Sequence, residues 1–172
     1  MLKNSYFFLI MLVFAASGSA SAQTPLDFNK NLSARADSFF KLGAIWGSKL
    51  EDISSKSKHF EELKPLRLKA VDYIDVQVAE LGAMADVKDS KEMRLALIEF
   101  LKYEKTLINT LFIKIEKLPS YATEKEMQEA FGSLEEASAK EEPYLMRLTQ
   151  AQDAYAQNNG FKVVHEDDMG HK

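Results

Sequence analysis

Between Asp89 and Leu118 the chain reads DSKEMRLALIEFLKYEKTLINTLFIKIEKL, a stretch free of proline and glycine. Leu97, Leu101, Ile108, Leu111, Ile115 and Leu118 recur in it at alternating steps of three and four, interrupted once by Glu104, while Phe100, Leu107 and Phe112 broaden the stripe. That period lays one wide apolar face along a helix, and such a face has to be covered by other helices. At 1.5 Å per residue the stretch is ~45 Å long, enough to run the length of a four-helix domain. Its start is expected at Asp89 or Ser90, each able to accept from a free first-turn N–H, with Glu92 placed as in a capping box. Its stop is Pro119, which neither donates the next hydrogen bond nor leaves its neighbour helical.

Three more stretches carry the same period. Phe28, Leu32, Phe39, Leu42, Trp46 and Ile53, flanked by Ala36, Gly43 and Leu50, predict a helix over about 27–56, after an extended lead at Thr24-Pro25. Leu66, Ala70, Tyr73, Ile74, Val78, Leu81 and Met84 predict a second over about 60–86, its beginning blurred by Pro65, with Asp86 to Asp89 as a tight connection. After the long helix at about 89–118, Met127, Ala130, Phe131, Leu134 and Ala137 continue past Pro143 into Leu145, Leu148, Ala151 and Tyr155. This predicts a helix over about 123–159, opened by a Thr123–Glu126 capping box, kinked or broken at Pro143 and stopped at Gly160. The expected fold is all-α, an antiparallel up-down four-helix bundle over residues 23–164, with Phe161 to Val164 as a short extended segment and 165–172 as a disordered charged tail.

The first 22 residues read differently. Lys3 precedes an apolar run from Tyr6 to Ala16, and small residues lead to Ala20-Ser21-Ala22, the A-x-A form of a signal-peptide cleavage site. A run of that length is too short to span a bilayer, so the expectation is export, with a mature chain beginning at Gln23, in the periplasm or at the cell surface. Loss of Lys3 takes the net charge of −4 to −5, and the excess acid lies after Pro119, between Glu124 and Asp168. No basic patch with interleaved aromatics stands out, which argues against a nucleic-acid partner.

The residue inventory removes several chemistries. The absence of cysteine excludes a thiol nucleophile, a thiolate metal site and a lipid-bearing cysteine at the cleavage site. A di-iron bundle needs Glu-x-x-His on two helices, and none of His59, His165 and His171 has a glutamate three residues before it. The tail His165 to His171 mixes ligand types in one segment of no fixed geometry, which favours a solvated tail over a metal site. No cofactor is expected.

Glu104 breaks the pattern, because a carboxylate on the apolar stripe must be paired, protonated or less buried than its neighbours. Arg35, Lys102, Lys105, Arg67 and Arg147 are its candidate partners, and Gln77 takes a core-like step of the second helix. Gly43 and Gly47 sit four apart beside Trp46, and each costs roughly 1 kcal/mol in a helix against alanine. Either a neighbouring helix approaches closely there, or a gap is kept open for a ligand. Gly43, Trp46, Gln77 and Glu104 are therefore the candidate pocket residues.

ELKPLRLKAVDYID at 62–75, FLKYEKTLIN at 100–109 and AQDAYAQNNGFKVV at 151–164 resemble a family of exported bacterial helical surface proteins of unknown function. The closing Ala-Tyr-Ala-x-x-Asn-Gly-Phe turn is the most specific part of the resemblance. It implies an exported helical fold and carries no catalytic residues over. The family includes lipoproteins, whereas this chain has no cysteine to anchor. The sequence thus points to a non-catalytic binding or interaction protein of the bacterial envelope, with an unknown envelope partner and broad helix faces that also suit a homodimer. The alternative is a small-molecule or metal-handling bundle with a pocket near Trp46 and Glu104.

Overall fold

The computed structural model describes residues 23–56 and 59–163. The expected signal peptide and the charged tail lie outside these residues. Within them the chain is all-helical. Helix α1 (Pro25–Ser55) is followed by a short 3-10 turn, Phe60–Leu63, that leads into α2 (Lys64–Ala83). Helix α3 (Lys91–Leu107) continues through a π-helical segment (Ile108–Phe112) into α4 (Ile113–Glu116), so these three form one rod. Helix α5 (Glu124–Asn158) is the fourth rod of the bundle.

Contacts between chain ends fix the course of the rods. Arg67 near the start of α2 bonds Glu116 at the end of the third rod, and Gln152 near the end of α5 donates to Asn29 and Ser33 near the start of α1. Arg35 of α1 reaches Gln77 and Glu80 in the last turns of α2. Neighbouring rods therefore run in opposite directions. No helix among the described residues is long and apolar enough to cross a membrane.

The predicted stripes form the core, which has two parts. One gathers Phe28, Leu32, Phe39, Ile74, Leu97, Phe100 and Leu101. The other, at the opposite end, is built on Trp46, Ile53, Phe60, Leu63 and Ile115. Phe112 packs against both.

The helix ends show where local chemistry departs from the expectation. Helix α1 starts at Pro25 rather than Asp27, because Thr24 accepts from the Asp27 N–H and proline suits a first turn, where no N–H is needed. Helix α2 stops at Ala83, three residues early, and Arg94 explains the stop. Its guanidinium donates to the Leu81 carbonyl at 3.1 Å and holds both Asp86 carboxylate oxygens at 2.7 and 3.0 Å, keeping Asp86 below the usual carboxylate range.

The cap expected at Asp89 or Ser90 is not formed. The fully buried Ser90 hydroxyl accepts from the Val87 N–H instead, within the loop, and the Asp89 carboxylate accepts from the side-chain amides of Asn158 and Asn159. The capping box at Thr123 is present in both halves. Helix α5 runs through Pro143 without a break, and Gly160, at φ +74°, ends it. There the Phe161 N–H returns to the Ala156 carbonyl and the Gly160 N–H to Gln157, a Schellman closure with Phe161 packed edge-on against Tyr155. Phe161 thus lies on the bundle, while Val164, the last residue of the expected extended segment, lies outside the described residues.

The Arg67–Glu116 pair is 2.7 Å long, with both side chains under a tenth exposed. Truncating one partner leaves the other charge buried alone, a loss of about 3–5 kcal/mol. Arg67→Ala should therefore lower the urea midpoint sharply, and a shift under a quarter of that size in free energy would show the pair to be solvated.

Candidate functional site

Three of the four predicted pocket residues meet. Gly43 and Trp46 of α1 and Glu104 of α3 line one cavity of about 260 Å³ in the middle of the bundle. Gln77 is elsewhere, its carbonyl oxygen accepting from Arg35 on the α1–α2 face. The cavity walls are mostly apolar, with Phe39 and Phe40 from α1, Ala70 from α2, and Ile108 and Phe112 from the π-helical segment.

The glycines do not serve close helix packing. A Cβ placed at Gly43 or Gly47 would meet nothing within 4 Å, so the close-approach explanation falls. At Gly43 the missing side chain leaves space that belongs to the cavity.

The π-helical turn shapes the opposite wall. Thr106 and Thr110 lie beside and within it, and their hydroxyls donate to carbonyls one turn back, Lys102 for the first and Thr106 and Leu107 for the second. Such back-bonding competes with the regular ladder and loosens it. In an α-helix the stripe would turn Leu111 inward; here Phe112 stacks on Trp46, ring centroids 3.8 Å apart and planes 17° from parallel. π segments of this kind frequently occur at functional sites.

None of the basic residues expected to pair with Glu104 does so. Arg35 is taken by Gln77 and Glu80, Arg67 by Glu116, Lys105 by Asp75, and Arg147 by Glu92 and Glu99, while Lys102 is exposed. The group that faces Glu104 is another acid, Glu141 of α5. Burial above all, and then the adjacent Glu141 carboxyl, push Glu104 from 4.5 up to about 8. Burial raises Glu141 as well, against the hydrogen bond from Glu104, which favours its charged form. Glu104 therefore keeps its proton at neutral pH beside a second, half-buried carboxyl. Tyr103 is adjacent, stacked on Tyr144 at 4.2 Å with its hydroxyl donating to the Ala137 carbonyl, and burial and the Glu104 charge raise its pKa.

Glu141 was not anticipated in the sequence. Its signal was present, since Leu134, Ala137, Glu141, Leu145 and Leu148 step by three and four and place it on the buried stripe of α5. The surrounding Lys140-Glu141-Glu142-Pro143 run reads as a solvated acidic surface and hid it.

Two side-chain polar atoms among the described residues are buried without a hydrogen-bond partner, Trp46 Nε1 and Glu104 Oε1. Both residues line this cavity. Buried polar atoms are nearly always bonded, so a coincident donor and acceptor left open at one cavity are a preformed polar end for something that occupies it. Phe40 and Ala44 also line a wide groove of about 1030 Å³ between α1 and α5, so the groove adjoins the cavity through these residues. Among the described residues no group of three or more His, Cys, Asp or Glu side chains is placed to hold a metal ion.

Comparison with known proteins adds no name to this geometry: no protein-family model matches the chain, and no curated protein or solved structure matches it. The class rests on fold and site alone, a four-helix bundle with an acid-lined, aromatic-walled cavity that opens to solvent beside Phe40 and Ala44.

The protonation of Glu104 makes stability pH-dependent. The unfolded chain gives up this proton near 4.5 and the folded chain near 8, so between the two the folded state binds more protons. Stability from this group is full below the window and declines through it as pH rises, by at most about 1.4 kcal/mol per pH unit. Glu104→Gln, neutral throughout, should remove most of that decline, so that denaturation midpoints at the two ends of the window converge. A wild-type midpoint that climbs with pH across the window would sink the protonated assignment.

Proposed function

We propose that the protein is a non-catalytic binding protein that holds a small molecule in the cavity between α1, α3 and α5. One observation carries this reading: the two residues that hold an orphaned polar atom, Trp46 and Glu104, both line the same apolar cavity. Without a ligand, that arrangement leaves two buried polar groups unsatisfied and an apolar wall against water, and both cost free energy. A ligand with an apolar body and a polar end offsets both costs. The volume of about 260 Å³ suits a molecule of one ring or a short branched chain, since a dry cavity of ~150 Å³ already accepts benzene.

An address outside the cytoplasm, in the periplasm or at the cell surface, belongs to this reading and is supported by Lys3, the apolar run and Ala20-Ser21-Ala22. The resemblance to exported bacterial helical surface proteins supports the same address. A second reading, docking of an envelope protein or a second copy of the chain, is favoured by the α1–α5 groove, where Leu26 and Phe40 are 40% and 44% exposed. Sedimentation over a range of concentrations distinguishes a self-associating chain from a monomer.

Native mass spectrometry of the protein purified from its own envelope fraction tests the first reading. A reproducible added mass is expected on the folded chain, and Gly43→Leu, whose side chain enters the open space, should remove it while the protein stays folded. A bare mass in the wild type, or an added mass indifferent to Gly43→Leu, overturns the cavity as the binding site.

A further inference from the structure

Resting on that reading, we propose that the ligand is a small organic cation, an ammonium group on an apolar or aromatic body, seated against the Glu104 and Glu141 carboxyls among the rings of Phe39, Phe40, Trp46 and Phe112. The charge of the lining points this way. Two carboxyls converge on a cavity whose other lining residues are uncharged, and Arg35, Arg67, Lys105 and Arg147 are committed elsewhere, to Glu80, Glu116, Asp75 and Glu99 in turn. The positive charge such a site lacks has to come from outside the chain. An anion would meet two acids in a medium of low dielectric and is rejected. A bare divalent metal requires six or more oxygen ligands or several waters, which two carboxyls in an apolar wall do not supply.

The walls suit the same class. Aromatic faces carry negative charge density and attract cations when desolvated, Trp most strongly. The Trp46–Phe112 stack and the tilted Phe39–Phe40 pair, 5.9 Å between centroids, bring four rings to a cavity that also holds the acids. Glu104 Oε1 is the free acceptor for an ammonium N–H, and Trp46 Nε1 is a donor left for an acceptor atom on the same molecule.

Binding is accompanied by a proton. In the free site Glu104 holds its proton; the cation takes the place of that proton, which Glu104 gives to solvent, and the total charge is unchanged. The titratable groups facing Glu104 are Glu141 from α5 and its own neighbour Tyr103, with Tyr144 stacked behind, whereas α1 and α2 bring no titratable side chain to the cavity. Affinity for a cation therefore rises with pH as Glu104 ionises.

Trp46 is the sole tryptophan, so its emission reports the site directly. Three probes of matched shape, 2-phenylethylammonium, 2-phenylethanol and 3-phenylpropanoate, titrated into the purified full-length protein, separate the possibilities. The ammonium should bind ~10-fold or more tighter than the alcohol, as a charge-assisted contact demands, with one proton released in calorimetry across buffers of different ionisation enthalpy. Glu104→Gln should abolish the proton release, and Glu104→Gln combined with Glu141→Gln should erase most of the preference while retaining the alcohol's affinity. Equal or better binding of the alcohol or the carboxylate overturns the cation and leaves the small-molecule reading standing. Binding of none of the three overturns both.

Discussion

A carboxyl group taken out of water with no cation beside it has to keep its proton or share one, and the middle of this bundle is arranged around that constraint at Glu104. The residue sits where the stripe of the third rod calls for a leucine. An apolar side chain there would let α1, α3 and α5 close on one another as they do around Phe100 and Leu101. Instead the rods meet at two acids, a glycine and a π-helical turn, and a cavity remains between them. The same four features that weaken the core locally are the ones that line the space.

Elsewhere the bundle settles its polar groups with care. Arg67 and Glu116 satisfy each other in the interior, Arg94 closes the end of α2, and the Tyr73 hydroxyl donates to the Arg35 carbonyl between α1 and α2. Against that background the two unsatisfied atoms of the cavity are localised rather than scattered, which is how a binding site differs from a poorly packed core. Two independent core clusters on either side hold the rods in place, so the cavity can lack packing without loosening the fold.

Much of this was legible from periodicity, because a bundle asks only that apolar residues recur in step with the helix. The four rods, the capping box at Thr123, the stop at Gly160 and the anomaly of Glu104 all follow from residue type and spacing. What escaped was set by contacts between segments far apart in the chain. Asp89 and Ser90 look like caps until Asn158 and Asn159 arrive to claim the first and the loop claims the second. The π turn is invisible because Leu111 and Phe112 are both apolar, and either would fit the stripe. Glu141 was masked by its acidic neighbours, and Glu104 consequently was offered five cations when its partner is an acid.

The last turn of α5 does more than end a helix. Tyr155 donates to the Val87 carbonyl, and Asn158 and Asn159 hold Asp89, so the loop between α2 and α3 is tied down by residues made about seventy positions later. During synthesis these ties to Val87 and Asp89 form only after the final turn has been translated. The α2–α3 loop is therefore closed by the last part of the bundle to be made, its Asn-Asn-Gly-Phe turn.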